Sequence, residues 1–136
     1  MTATTTLKKG FKQLLAEANA VIETISVHDA RDLVAEPSVL FVDIREAHEI
    51  VSGVIPGALH APRGFLEFMA DPECPMYKRG LGGAQRLILY CATGGRSSLA
   101  AKTLMEMGYT DVFSMAGGLA AWKAGDGPLT APDDGK

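Results

Sequence analysis

The sequence predicts an α/β domain in which helices cover both faces of a central, mainly parallel five-stranded sheet, with one extra amphipathic helix at the N-terminus. Three observations carry this. Five short strand patterns, at residues 23–26, 39–42, around Leu59, 87–91 and 111–115, alternate with helical ones. The run Val39-Leu40-Phe41-Val42 is apolar throughout, as in a parallel strand buried on both faces. Finally, Leu87-Ile88-Leu89-Tyr90-Cys91, then Ala92-Thr93-Gly94-Gly95-Arg96, then a small-residue run from Ser97 read as strand, tight loop and helix.

Composition sets the outer bounds. A chain of 136 residues is one domain with length enough for a single core. Its 47% hydrophobic and 21% charged residues are those of an ordinary globular protein. A net charge of −3 without a basic run argues against a nucleic-acid partner. There is no secretory leader pattern and no apolar run able to span a bilayer, so no membrane partner is expected and the expected setting is cytoplasmic. Cys74 and Cys91 lack Cys-x-x-Cys spacing and a nearby histidine cluster, which indicates neither zinc nor a disulfide framework. His28, His48 and His60 are scattered and suit structural or surface roles; no metal or cofactor is expected.

Residues 1–6 form a polar, threonine-rich start expected to fray. From Leu7 onward, Leu7, Phe11, Leu14, Leu15, Ala18, Val21 and Ile22 recur at the spacing of one helix face. That face is expected to pack on the body of the domain; the sharper alternative is a homodimer formed through the same helix. Residues 1–21 are thus tail and helix, 22–129 the domain proper, and 130–136 a flexible tail. Ser26 suits the cap of a helix over 27–35 that Pro37 stops. Asp43 and Arg45 follow the 39–42 strand at its carboxyl end, where open α/β sheets place ligands; a structural ion pair or turn cap is favoured for them over direct support of a site. A helix over 46–51, a Gly/Pro turn over 53–58 and a helix opened by Pro62 follow. Residues 77–85, with three glycines, read as a loop. The helix over 97–107 stops at Gly108, and Gly117-Gly118 turns into a last helix carrying Trp122, a packing anchor.

The chemistry concentrates at residues 91–97. Gly94 and Gly95 permit backbone angles that turn successive amide N–H groups toward one point. The positive end of the following helix, capped by Ser97 or Ser98, aims at the same place, and Arg96 adds a cation. A thiol there has its pKa lowered. Alone, a cysteine after an apolar strand is a small buried hydrophobe. Gly-Gly-Arg directly after it makes poor filler, so Cys91 is the candidate nucleophile.

These residues resemble the active-site loop of the rhodanese-like sulfurtransferases. The segment Val42-Asp43-Ile44-Arg45, Glu49 and Gly53-Val54-Ile55-Pro56-Gly57-Ala58 resembles that family's first signature, with Val54 where the family carries histidine. Met115-Ala116-Gly117-Gly118-Leu119-Ala120-Ala121-Trp122 resembles its last. The resemblance implies a rhodanese-like fold and Cys91 catalysis through a persulfide. It further implies an anion cradle of Ala92, Thr93, Gly94, Gly95, Arg96 and Ser97, and a supporting role for Asp43, Arg45 and Glu49. It puts Arg63, Phe65, Lys78 and Arg79 at the pocket rim, although a solvated loop is the plainer reading of that stretch. The implied partners are a small anionic sulfur donor such as thiosulfate and a thiol or cyanide-type acceptor.

Two rival readings stand beside it. A Cys-to-Arg loop also serves tyrosine-type phosphatases and arsenate reductases, but four residues separate Cys91 from Arg96 where the phosphatase signature has five. The shorter ring suits a sulfur atom better than a tetrahedral phosphate. The other rival is a non-catalytic binding or sulfur-carrier module. Because Ala92 and Thr93 are uncharged, thiosulfate binding should be weak unless Arg63, Lys78 or Arg79 reaches the rim. Cys74 closing a disulfide onto a Cys91 persulfide would need close geometry.

Overall fold

The computed structural model describes residues 4–132. Strands β1 (Glu23–Ile25), β2 (Val39–Asp43), β3 (Leu59–His60), β4 (Arg86–Tyr90) and β5 (Val112–Met115) form one five-stranded sheet in the order β1-β5-β4-β2-β3, with every pairing parallel. Alternation along β4 divides the core. Leu87, Leu89 and Cys91 join one cluster and Ile88 and Tyr90 the other, because successive strand side chains point to opposite faces. The first cluster includes Val42 and Ile44 and is closed by Leu66, Leu81 and Leu104 of α4 (Leu66–Met69), α5 (Arg79–Gly83) and α6 (Gly95–Met107). The second is closed by α2 (Val27–Arg31) and α7 (Gly118–Ala124). There Trp122 meets Phe41 edge to face at 5.9 Å, and its indole N–H donates to the Pro128 carbonyl at 2.9 Å.

Helix α6 positions the site. Ala100 and Ala101 are fully buried, so the helix lies close to the sheet, and Gly108 ends it in a left-handed conformation. Helix α1 (Phe11–Val21) packs on α6, as expected of an amphipathic terminus. It starts at Phe11 rather than Leu7, since Gly10 before it is extended. Only part of its stripe is covered: Ala18 and Ile22 are buried, while Leu7, Phe11, Leu14 and Val21 stay exposed.

Several expected bounds shift. Ser26 caps α2 by accepting from the Asp29 amide at 3.1 Å, but the helix ends at Arg31 and gives way to tighter turns through residue 35. The 46–51 helix is α3 (Ala47–Ile50), and the 62–69 helix is a 3₁₀ turn, Arg63–Phe65, followed by α4. The expected loop at 77–85 contains α5. Its sequence, Arg-Gly-Leu-Gly-Gly, has poor helix propensity, but burial of Leu81 and close approach to the sheet override it: a Cβ on Gly80 would stand 3.2 Å from Leu59 Cδ1.

Val54 is buried and exchanges two main-chain hydrogen bonds of 2.8 Å with Thr130 in an antiparallel bridge, so the chain is tied to the domain one residue past the expected boundary at 129. Of the expected frayed start and flexible tail, residues 1–3 and 133–136 lie outside the described residues. Among the described residues no helix is long and apolar enough to cross a membrane.

Candidate functional site

Cys91 leaves β4 at its carboxyl end, and α6 begins at Gly95. Between them Gly94 adopts φ 105°, a region that disfavours side chains, and this aims its N–H at Cys91 Sγ, 3.1 Å away. The Ser97 and Thr93 amides also favour the charged form of this sulfur. Burial by itself would raise the Cys91 thiol; the Ser97 amide and hydroxyl with the Gly94 and Thr93 amides more than offset it, and the pKa lies below the ordinary thiol value.

The peptide dipoles are held in this sense from behind. The Cys91 carbonyl accepts from the Leu119 amide at 2.8 Å and the Ala92 carbonyl from the Ala120 amide at 3.0 Å, both in the first turn of α7. That turn can approach because Gly118, at φ 60°, has no side chain: a Cβ there would lie 2.6 Å from the Cys91 carbonyl oxygen. The Gly117-Gly118 signature therefore fixes which way the Cys91 loop faces.

Ser97 and Ser98 do not cap α6 as expected; Gly94 holds the cap position without a side-chain bond. Both serines lie inside the first turn, and their hydroxyls donate back to the Gly94 carbonyl at 3.1 and 3.0 Å. Ser97 Oγ also stands 3.7 Å from Cys91 Sγ and 2.7 Å from Ser114 Oγ of β5. Ser114 was not among the expected site residues. Its signal is a hydroxyl in an otherwise apolar strand, Val112-Phe113-Ser114-Met115, on the strand beside the one that ends at the cysteine.

Arg96 is expected as the cation of the cradle, but its charge is already matched. Its two terminal nitrogens donate to the Glu49 carboxylate at 2.8 and 3.0 Å, which with the Glu46 amide holds the Glu49 pKa down at about 2. The Arg96 pKa is raised, first by Glu49 and further by its nearness to the Cys91 sulfur. Glu49 is placed by α3, whose N-terminus is a capping box between Glu46 and Glu49. The 45–53 turn is held in turn by Arg45, which meets Asp43 at 2.7 Å and donates to the carbonyls of Gly53 at 2.8 Å and Glu49 at 3.2 Å. Asp43 and Arg45 thus form the buried structural pair, and Glu49 connects them to the loop.

The four expected rim residues do not gather at Cys91. Arg63 is engaged by Glu67 at 2.9 Å and Thr103 at 3.2 Å. Phe65 and Lys78 line a cavity of about 630 Å³ beside β3 whose walls include no residue of the 91–97 loop. Arg79 is exposed at the start of α5. Instead, a crevice of about 400 Å³ runs along Thr93, Gly94 and Gly95, and α1 supplies Leu15 and Asn19 to its wall. The added N-terminal helix therefore borders the loop.

A buried thiol at the carboxyl end of a central parallel strand, met by the Gly94 amide at the start of a helix, defines an α/β domain whose candidate site is built around one cysteine. The chain matches the rhodanese-like domain over residues 26–125 and belongs to that family. It is 35% identical over 95 residues to a sulfurtransferase of Allochromatium vinosum, covering 70% of this chain and 81% of that one. It is 33% identical over 101 residues to the thiosulfate sulfurtransferase GlpE of Pseudoalteromonas translucida, covering 74% and 88%. A solved structure from Rhodopseudomonas palustris, described as a protein of unknown function and possible tyrosine phosphatase, superposes with TM-score 0.90 at 40% identity over 95% of this chain and 100% of that one.

Proposed function

We propose that this protein is a sulfurtransferase that carries a sulfane sulfur as a persulfide on Cys91. The observation that supports this best is the Gly94 N–H held 3.1 Å from Cys91 Sγ, in a loop with four residues between Cys91 and Arg96 where the phosphatase signature has five. The Cys91 thiolate attacks the outer sulfur of a donor such as thiosulfate, and the donor's S–S bond breaks with its electron pair leaving on sulfite. A thiol or cyanide-type acceptor then attacks the outer sulfur of the persulfide, and that bond's pair returns to Cys91 as thiolate. The amides hold the anionic terminal sulfur, as oxyanion-hole donors hold a developing charge.

Because Glu49 matches the Arg96 charge and Arg63 is engaged elsewhere, thiosulfate is expected to load the protein with a high KM. The Rhodopseudomonas neighbour keeps a cysteine phosphatase as the second reading. Intact-protein mass spectrometry after brief incubation with thiosulfate or an organic persulfide, on the native chain and Cys91→Ser, tests both. One added sulfur on the native chain alone, removed by cyanide, is the expected result. No added sulfur, together with aryl-phosphate hydrolysis that disappears in Cys91→Ser, would replace this reading by the phosphatase.

A further inference from the structure

Behind the Cys91 loop lies a buried chain of three side chains. Cys91 Sγ is 3.7 Å from Ser97 Oγ, which is 2.7 Å from Ser114 Oγ, and none of the three residues is more than 1% exposed. Each serine has one hydroxyl hydrogen to place. Among the described residues Ser97 Oγ is the only side-chain or carbonyl partner of the Ser114 hydroxyl, and a buried donor left without an acceptor is costly. The Ser114 hydrogen therefore points to Ser97. That leaves Ser97 with its own hydrogen free for one of two acceptors, the Gly94 carbonyl at 3.1 Å or the Cys91 sulfur. The Gly94 carbonyl also accepts the Ser98 amide at 3.1 Å and the Ser98 hydroxyl at 3.0 Å, so it keeps two donors when the Ser97 hydrogen turns from it to the sulfur.

We infer that Ser114 is a positioning residue for sulfur transfer: by donating to Ser97 it commits the Ser97 hydroxyl hydrogen to the anionic sulfur of Cys91. When Cys91 is a neutral thiol, its S–H donates to Ser97 Oγ, and the Ser97 hydrogen turns to Gly94. When the thiol proton has left to solvent, the Ser97 hydroxyl rotates to donate to the sulfur while the Ser114 bond stays in place. No proton passes between the three groups; only the Ser97 rotor moves. A hydroxyl that itself accepts a hydrogen bond is the stronger donor, so Ser114 raises the share of charged sulfur without touching it. Other groups around Cys91 stay fixed across this comparison. Arg96 of α6 is paired with Glu49 of α3, the Asp43–Arg45 pair belongs to the β2 end, and the Tyr90 hydroxyl, accepting from the Ile55 amide at 3.1 Å, lies with the other core cluster.

The inference deepens the sulfurtransferase reading but is tested by a measurement that needs no sulfur transfer. In a Cys74→Ser background, so that Cys91 alone reports, the pH dependence of iodoacetamide alkylation gives the thiolate fraction. Ser114→Thr keeps the hydroxyl and Ser114→Val replaces it at equal volume in a strand that accepts both. Ser114→Val should shift the alkylation profile up by about one pH unit, an approximately tenfold loss of thiolate below the midpoint, while Ser114→Thr stays within about twofold of native. Ser114→Ala provides a second hydroxyl-free variant should valine impair folding. Hydroxyl-free variants that titrate like the native protein would overturn the inference, as would threonine and valine variants displaced equally, which would mean packing alone. Failure of persulfide formation on the native protein, with the alkylation shift intact, would instead count against the sulfurtransferase reading.

Discussion

Two ion pairs hold the turn beside the Cys91 loop, and they differ in their distance from water. In the Asp43–Arg45 pair the side chains are 1% and 5% exposed; in the Glu49–Arg96 pair they are 25% and 39% exposed. Burial makes the first pair costly to break, because removing one partner leaves a charge without solvent or counter-ion. Water reaches the second, so its worth to stability is small and its effect falls on what its cation faces, the Cys91 sulfur. The same chemistry of guanidinium on carboxylate thus serves the scaffold in one place and the site in the other.

The comparison can be broken most severely at the buried end. Arg45→Met strands Asp43 and frees the Gly53 and Glu49 carbonyls; urea unfolding should show a loss of about 3–5 kcal/mol. A loss below about 1 kcal/mol would mean that the two pairs do not differ as described. Arg96→Ala should do the reverse. Its stability change should stay within about 1 kcal/mol, while the rate of sulfur loading on Cys91, followed by mass spectrometry, falls by roughly tenfold or more as the sulfur loses a cation and the loop its tie to Glu49. The smallest effect is that of pH on the outer pair. The folded-state pKa of Glu49, about 2, lies below its ordinary value of 4.5, so the contribution of the pair is complete above about 4.5 and disappears as pH falls through about 2. The stability difference between the native protein and Glu49→Gln should therefore persist at pH 5 and vanish near pH 2; a difference that disappears already by pH 4 would show that Arg96 does not hold Glu49.

Local pattern made much of this molecule legible. An apolar run at 39–42, alternation of apolar strands with helical segments and the glycine-bearing Cys91 loop are short-range signals, since strand burial, helix faces and positive φ angles are decided by neighbours within a few residues. They specified the parallel α/β sheet, the candidate nucleophile and the amide ring around it. Other features depended on groups distant in sequence. Helix α5 exists because Leu81 is buried in the core and Gly80 lies close to the sheet, against the preference of its own residues. Glu49 is 47 residues from Arg96 and Ser114 is 17 from Ser97, so neither pairing has a local signature. Nor could the stripe on α1 say that part of it would stay exposed while Leu15 and Asn19 bordered the Cys91 loop. The sequence by itself determined where charge and a nucleophile can be stabilised, because main-chain dipoles follow local conformation. Only the tertiary structure decided which side chains oppose that charge, because their approach depends on how strands and helices pack.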